Sequence, residues 1–191
     1  MPSDDVRSDD VPSDDVPSDD ELIDTLREAQ RVGALGDRPI REVVEHARAF
    51  VRALDDVHGT VVDIGTGGGI PGLVLALDRP DMLVVLVDRR EKRTDLVRRA
   101  VRRLRLEARV EVRTADVEQL TLAAPSTFDA AVARGFGPPD RTLRLAVALV
   151  RTGGAVVISD PPSGDRWPDA LLSELGVRHK RLGAVSRFDI G

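Results

Sequence analysis

The chain has 191 residues, which is enough for one domain with a sizeable core and too few for two ordinary domains. It contains no cysteine, and this excludes disulfide bonds, thiolate zinc sites and cysteine nucleophiles. No apolar run reaches the roughly 18 residues of a membrane span, and the N-terminus lacks the layout of a signal peptide. We therefore expect a cytoplasmic protein.

Residues 1–20 repeat a five-residue unit, Ser-Asp-Asp-Val followed by Pro or Arg. The stretch holds eight Asp and one Arg, which is more negative charge than the formal net charge of -5 for the whole chain, so the remainder is slightly basic. Because so little apolar surface cannot offset the entropy of ordering, we predict a disordered acidic tail. It confers solubility or competes with RNA for a basic surface.

The remainder, residues 21–191, is predicted to form one domain. Helical spacing of apolar residues predicts two helices, 21–32 and 40–54, as an N-terminal cap over residues 21–57. From residue 58 onwards, predicted strands and helices alternate. The strands are 60–64, 83–87, 109–114, 128–133 and 155–159, and the helices are 71–78, 91–105 and 140–150. Continuous apolar strands between helices predict an α/β fold with a doubly wound, mostly parallel, Rossmann-like sheet, closed by a C-terminal hairpin.

The segment 61–72, VVDIGTGGGIPG, is the most informative part of the chain. An apolar strand that contains Asp63 near its end runs into a glycine turn and then into a helix. Glycines let the backbone turn sharply and approach a ligand without a side chain in the way. Asp88 closes the next apolar run, about where an acid can hold ribose hydroxyls. This layout is typical of a nucleotide-cofactor site.

Two cofactors compete for this turn. Gly67, Gly69 and Gly72 match the dinucleotide pattern G-x-G-x-x-G, which favours NAD. That pattern seats a pyrophosphate on a helix N-terminus and does not call for a carboxylate at the end of the strand. Asp63 would instead favour the ammonium and sulfonium groups of S-adenosylmethionine (SAM). We therefore predict SAM, with NAD as the alternative.

Several segments resemble one family, the bacterial small-subunit ribosomal RNA guanine-N7 methyltransferases of the RsmG or GidB type. They are VVDIGTGGGIPG, RPDMLVVLVDRREKR, TADVEQL, FDAAVARGF and RTGGAVVIS, within about residues 58 to 160. The resemblance implies a class I SAM-dependent methyltransferase that acts on N7 of a guanine. It also implies that ribosomal RNA or the small ribosomal subunit is the partner. Since a guanine N7 carries no proton, this reaction needs no general base.

The resemblance assigns roles to residues at the strand ends. Gly65 and Ile70 would line the methionine and adenosine side of the cofactor, and Asp88 would hold the ribose. Arg134 matches the family's arginine beside the transfer site and is the catalytic candidate.

After the third strand, Val117 and Glu118 match the family's adenine-contacting pair, and the neighbouring Asp116 could meet the exocyclic amine of the adenine. The predicted cofactor-binding set is therefore Asp63, Gly65, Thr66, Gly67, Gly69, Ile70, Asp88, Asp116, Val117, Glu118 and Arg134.

Residues 89–109 hold ten basic side chains and three acidic ones, and the arginines of the predicted helix lie opposite its apolar stripe. Such a stripe binds RNA phosphates, or it is only a solvated face. Phe136 and Trp167 could stack on a base, or each could be a buried loop anchor. The candidate RNA-binding residues are Arg98, Arg99, Arg102, Arg103 and Phe136.

The cap departs from the family, since it lacks the family's Asn-Leu-Thr element and Arg-His-x-x-Asp-Ser helix. This leaves open a methyltransferase of a small molecule or a protein, or a non-catalytic SAM- or RNA-binding paralogue. Asp160-Pro161-Pro162 resembles the acidic Pro-Pro motif of amine methyltransferases, but it follows the fifth strand where that motif follows the fourth. The three histidines have no ligand spacing, so we expect no metal, and we expect a monomer.

Overall fold

The structure is a computed structural model that describes residues 17–161 and 167–191. The acidic repeat over residues 1–16 lies outside these ranges, so the disorder predicted for it stays a prediction. Helix α1 (Asp19–Arg31) begins before the predicted residue 21, so Asp19 and Asp20 belong to the helix and not to the tail. The reason is a capping box, in which Ser18 Oγ accepts from the Glu21 amide and the Glu21 carboxylate accepts from the Ser18 amide.

The described residues form a seven-stranded sheet in the order β3-β2-β1-β4-β5-β7-β6. Strands β1 to β5 are parallel, and β7 runs antiparallel between β5 and β6. The predicted mostly parallel α/β sheet and its closing hairpin are confirmed. The strands are β1 (Gly59–Ile64), β2 (Met82–Asp88), β3 (Val110–Thr114), β4 (Phe128–Ala133), β5 (Val150–Ser159), β6 (Val177–Leu182) and β7 (Val185–Ile190).

Six further helices are α2 (Ile40–Ala53), α3 (Gly72–Asp78), α4 (Glu91–Arg103), α5 (Val117–Ala123), α6 (Pro139–Leu149) and α7 (Asp169–Leu175). The sequence did not predict α5 and α7, because seven residues are too few to display helical periodicity and no motif precedes them, whereas the equally short α3 was predicted from the glycine turn before it. Helix α4 ends before the predicted residue 105, where Arg105 takes a positive φ of 50°. No helix in the described ranges is long and apolar enough to span a membrane.

The two cap helices share a hydrophobic core with one face of the sheet. Leu22, Phe50 and Leu54 are fully buried and belong to the same cluster as Val61 and Leu73. The other face of the sheet packs against α5, α6 and α7. Burial of this kind stabilises the fold by roughly 25 cal/mol for each Å² of apolar surface. It therefore holds the α1–α2 loop, residues 32–39, in place beside the glycine turn.

Candidate active site

Two cavities lie at the carboxyl ends of the parallel strands. The Asp88 cavity, of about 170 Å³, has walls that include Asp88, Asp116, Val117, Phe136 and Arg141. The Arg134 cavity, of about 400 Å³, has walls that include Arg38, His46, Thr66, Ile70, Arg134 and Asp160. Gly65, Arg93 and Gly135 line both, so the two cavities adjoin at these residues. Ligands of doubly wound sheets bind at this edge.

The glycine turn is fastened to strand β2. The Thr66 amide donates to the Val87 carbonyl at 2.9 Å, and the Gly67 amide donates to Asp88 Oδ2 at 3.1 Å. Gly65 has a φ of +71°, and a Cβ there would overlap the ring of Phe136. Only glycine fits at residue 65, because it tolerates this conformation and leaves room for the ring.

Other predicted residues of the turn are also buried. Gly65, Thr66, Gly67 and Ile70 border the Arg134 cavity as expected. Gly69 packs elsewhere, since a Cβ on it would lie 2.5 Å from Leu73 Cδ1. Gly69 therefore shapes the turn against helix α3, and it is absent from the walls of both cavities.

Asp88 lies where the sequence predicted, at the end of β2, and it is almost fully buried. Its Oδ1 accepts from the Arg90 amide at 2.9 Å, its Oδ2 accepts from the Gly67 amide, and Arg93 Nη1 lies 3.5 Å away. These contacts fix the carboxylate in one orientation. Since each carboxylate oxygen has two lone pairs, acceptor capacity remains for a ligand hydroxyl.

Asp63 is fully buried beneath the turn. Its Oδ2 accepts from Thr66 Oγ1 at 2.7 Å and from the Gly72 amide at 3.0 Å, whereas its Oδ1 has no hydrogen-bond partner among the described residues. Burial raises the pKa of Asp63 to about 6, although the two hydrogen bonds and the charge of Arg134 oppose the rise. A nearby cation would stabilise the ionised form of this carboxylate.

Arg134 follows strand β4 and is half-buried. Its Nε is buried and has no hydrogen-bond partner in the part of the chain that the structure describes. Burial lowers the pKa of the Arg134 guanidinium, and the charge of Asp63 acts in the opposite direction. Unsatisfied buried donors are costly and uncommon, so this one marks a site that a ligand can complete.

The predicted adenine-contacting residues divide between the wall and the surface. Val117 is buried in the wall of the Asp88 cavity, and Asp116 caps helix α5 by accepting from the Glu118 amide at 2.8 Å. The Glu118 side chain is exposed and forms an ion pair with Arg141 at 2.7 Å. Phe136, predicted to meet RNA, lines the same cavity against Gly65, together with Arg93 of α4 and without Arg98, Arg99, Arg102 or Arg103.

The arginines of α4 are not equally available. Arg99, Arg102 and Arg103 are exposed, as predicted, and Arg103 lies 3.8 Å from Glu28 of helix α1. Arg98 is half-buried instead, because its guanidinium donates to Asp95 at 2.8 Å and to Thr114 Oγ1 at 3.0 Å. Arg99 and Arg102 are therefore the most accessible cations of this face.

Asp160 and Trp167, which follow strand β5, are hydrogen-bonded to each other. Trp167 is a buried anchor, whose Nε1 donates to Asp160 Oδ1 at 3.1 Å and to Ser186 Oγ at 3.0 Å. Asp160 Oδ2 also accepts from Ser186 Oγ at 2.7 Å. Because these hydrogen bonds engage both carboxylate oxygens, Asp160 fits a structural role better than the binding of a substrate amine.

Several residues of the Arg134 cavity were not predicted from the sequence, and two of them, Arg38 and His46, are polar side chains from the cap. No local motif marks them, since they meet Arg134 only after the cap has packed on the sheet. Burial lowers the pKa of His46, and the charges of Arg134 and Arg38 lower it further. Within the described ranges, no group of three or more acidic or histidine side chains could hold a metal ion.

Comparison with known proteins agrees with this geometry. The model of a family described as rRNA small subunit methyltransferase G, or GidB, matches residues 26–159. The chain belongs to this family. The resemblance found in the sequence is thereby confirmed, and the match reaches back into the cap.

Relatives in the GidB family carry the name ribosomal RNA small subunit methyltransferase G. One from Salinispora arenicola is 43% identical over 102 residues, which cover 51% of this chain and 42% of that protein. One from Leptothrix cholodnii is 30% identical over 175 residues, which cover 88% and 78%. The chain spans only about half the length of several of these curated relatives. The matched part is 42% of the Salinispora arenicola protein and 56% of a relative from Clavibacter sepedonicus.

Solved structures share the fold. A SAM-dependent methyltransferase from Aquifex aeolicus has a TM-score of 0.61 at 17% identity and covers 85% of this chain and 96% of its own. A methyltransferase from Geobacter sulfurreducens has a TM-score of 0.66 at 14% identity and covers 95% and 91%. At these identities the likeness establishes a Rossmann-like, class I methyltransferase fold.

Proposed function

We propose that this protein is a SAM-dependent methyltransferase that methylates N7 of a guanine in small-subunit ribosomal RNA. The observation that carries the proposal is the pair of cavities that adjoin at Gly65. One offers the Asp88 carboxylate and the apolar side chains of Val117 and Phe136, which suit an adenosine, and the other opens beside Arg134 with room for an acceptor base. The names of the relatives in the GidB family indicate small-subunit ribosomal RNA as the substrate.

The residues present fit SAM. Asp88 would accept hydrogen bonds from the ribose hydroxyls, and Val117 and Phe136 would pack against the adenine. Asp63 would stabilise the cationic methionine end from beneath the turn, which is consistent with its unpaired Oδ1. Gly65 makes room for the Phe136 ring, and its backbone borders both cavities.

When bound, SAM supplies a methyl group on a positively charged sulfur. The lone pair of guanine N7 lies in the ring plane and carries no proton, so the protein need not provide a general base. Acceleration would come from the alignment of the reacting atoms and from the exclusion of water. The walls of the two cavities would perform both tasks.

Arg134 is the residue that we place at the point of transfer. Its guanidinium cannot act as a base at neutral pH, but it can donate hydrogen bonds to an oxygen of the cofactor or of the base. Its Nε is buried and has no hydrogen-bond partner among the described residues, so a ligand in the site would supply one. We therefore assign it to positioning of the reacting groups.

The exposed arginines Arg99 and Arg102 would contact the RNA backbone next to the site. They lie on helix α4, which follows the strand that ends in Asp88. Contacts of this kind add affinity that depends on salt and carries no sequence information.

The proposal is tested in cells that lack this protein. Small-subunit ribosomal RNA is digested to nucleosides, and N7-methylguanosine is quantified by mass spectrometry. One site should lose the modification and regain it on expression of the wild-type chain or of the surface control Asp169→Ala, but not of Asp88→Ala. Equal N7-methylguanosine content in all strains would contradict the proposal. Restoration by Asp88→Ala would contradict the assigned cofactor site.

A further inference from the structure

The wall of the Arg134 cavity joins two parts of the chain that are distant in sequence. The cap contributes Leu35 and Arg38 from the α1–α2 loop and His46 from helix α2, and the strand ends contribute Thr66 and Arg134. Arg38 and His46 are absent from the wall of the Asp88 cavity. The cap residues therefore face the Arg134 cavity, where the acceptor would lie next to the methionine end of the cofactor, and not the adenosine side.

Three arginines line this cavity, and of these Arg93 lies 3.5 Å from Asp88, whereas Arg38 and Arg134 have no such acidic partner among the described residues. Neither Arg38 nor Arg134 forms a hydrogen bond or an ion pair with a described residue through its side chain. The carboxylate of Asp160, which also lines the cavity, is fully buried and accepts from Trp167 and Ser186. It is therefore already engaged by other groups.

The positive charges of the cavity also oppose one another. The charge of Arg38 lowers the pKa of both His46 and Arg134, and the charge of Arg134 lowers that of His46. The charge of Asp63 offsets part of that of Arg134, and the repulsion that remains between the like charges costs folding free energy. Unfavourable arrangements of this kind are typical of functional sites, and here a ligand of opposite charge would relieve the repulsion.

A phosphodiester suits these side chains. The planar guanidinium of Arg38 can donate two parallel N–H groups to phosphate oxygens. His46, held neutral by its surroundings, can donate one more N–H without adding another full charge. The reactant that brings a phosphodiester to the acceptor side is the RNA.

We propose that Arg38 and His46 bind the phosphodiester group of the target nucleotide and so hold its base over Arg134. The inference rests on the proposed function and names the part of the chain that positions the substrate. It makes the cap, which departs from the family's pattern, a substrate-binding element in addition to the arginines of α4.

The test uses full-length Arg38→Gln and His46→Gln, with Arg41→Gln as the matched control. Arg41 lies on the same helix as His46, is exposed, and among the described residues forms an ion pair with Asp20 alone, at 3.5 Å. The probe is a fluorescently labelled, guanine-containing single-stranded RNA, titrated in the presence of S-adenosylhomocysteine at several salt concentrations. SAM affinity is measured for each variant by calorimetry.

Arg38→Gln should weaken RNA binding on the order of tenfold, the loss of one charge-assisted contact. The slope of log affinity against log salt should fall by about 0.7, the value for one phosphate of a single strand. His46→Gln should weaken RNA binding by a smaller factor, and Arg41→Gln should change it less than about twofold. SAM affinity should stay constant throughout. An oligonucleotide with uncharged methylphosphonate linkages should bind wild type and Arg38→Gln equally.

Unchanged RNA affinity and salt slope in Arg38→Gln, with wild type active on RNA, would overturn this inference and leave the proposed function standing. Loss of SAM affinity in Arg38→Gln without loss of RNA affinity would also overturn it, because the bound anion would then be the cofactor carboxylate. A wild-type protein that neither binds nor methylates RNA would overturn the inference together with the proposed function.

Discussion

Asp63 Oδ1 and Arg134 Nε are both buried and both lack a hydrogen-bond partner among the described residues, although their strands are neighbours in the sheet. The two side chains influence each other's pKa through their charges, but no ion pair within 4.0 Å joins them. Each charged group is therefore left without its full set of hydrogen bonds, Arg134 in the wall of the larger cavity and Asp63 beneath the glycine turn, outside the walls of both cavities. This arrangement favours a ligand that carries both a cationic and an anionic group, as SAM does.

The first prediction concerns the pH dependence of SAM binding. The pKa of Asp63 is raised to about 6 from an ordinary value of 3.8, and a bound cation would lower it again. Binding should therefore release a proton near pH 5, and SAM affinity should rise as the pH rises through about 6. From the fraction of carboxylate that is protonated, the Kd at pH 5 should be on the order of tenfold higher than at pH 7.

Calorimetry at the two pH values measures this difference. Asp63→Asn should bind SAM more weakly and without this pH dependence, whereas His46→Gln should retain it. A wild-type Kd that is the same at pH 5 and pH 7 would show that Asp63 does not respond to the cofactor.

A second prediction concerns the close approach of Gly65 and Phe136. Gly65→Ala should lower the free energy of unfolding by about 2–3 kcal/mol, through strain at positive φ and overlap with the ring. Phe136→Ala should remove the overlap but not the backbone strain, so the double variant should be more stable than the sum of the single effects predicts. Urea unfolding of the four proteins measures the coupling. Strictly additive effects would mean that the ring does not rest on Gly65.

A third prediction concerns the attachment of the cap to the edge of the sheet. Arg187 on β7 is mostly buried, pairs with Asp56 at 2.5 Å, and donates to the Ala53 carbonyl at 2.8 Å. Because Asp56 is itself largely exposed, we expect Arg187→Met to cost only about 1–3 kcal/mol in urea unfolding. Arg178→Met, at an exposed position on β6, should cost less than about 0.5 kcal/mol.

The same pair has a pH signature. The Arg187 guanidinium lowers the pKa of Asp56 below its ordinary value of 3.8. The pair therefore stabilises the fold above that value, and the stabilisation is lost as the pH falls below it. The difference between wild type and Arg187→Met should shrink in acid. A difference that stays constant down to pH 2 would assign the cost to packing alone.

A fourth prediction concerns the basic face of α4. Arg99→Glu combined with Arg102→Glu should weaken RNA binding and lower the salt slope by about 1.4, the value for two phosphate contacts on a single strand. Reversal of all four arginines Arg98, Arg99, Arg102 and Arg103 should abolish RNA methylation while SAM affinity holds. Arg27→Glu combined with Arg52→Glu is the charge-matched control on the cap helices, where both side chains are exposed. RNA affinity that falls equally in the control pair would indicate a general charge effect and no specific face.

The local parts of the site could be predicted from the sequence. The glycine turn, Asp63 and Asp88 lie at strand ends, where apolar runs stop, and strand ends meet at one edge of a parallel sheet. The cap residues Arg38 and His46 could not be predicted, because their approach to Arg134 depends on tertiary packing. The same holds for Arg98, which was expected to be outward but reaches across to β3.

Short helices and the exact ends of strands were the other features that the sequence pattern could not predict. Helix α5 depends on the cap that Asp116 provides and on burial of Val117 and Leu120, and not on a periodic pattern. Strand β5 begins at Val150 and not at residue 155, since the chain leaves α6 directly into the sheet and shifts register against β4 between Phe128 and Ala130. A sequence pattern carries no record of such a shift.

The central claim is tested most directly by methyl transfer in vitro. Purified protein and radiolabelled SAM are incubated with small-subunit ribosomal RNA, naked and in assembled subunits, from cells that lack the protein, and the labelled nucleoside is identified by mass. We predict N7-methylguanosine at one site, with incorporation lost in Asp88→Ala. If neither the naked RNA nor the assembled subunits become labelled, although the protein is shown to bind SAM, the claim is contradicted and the methyl acceptor is a different molecule.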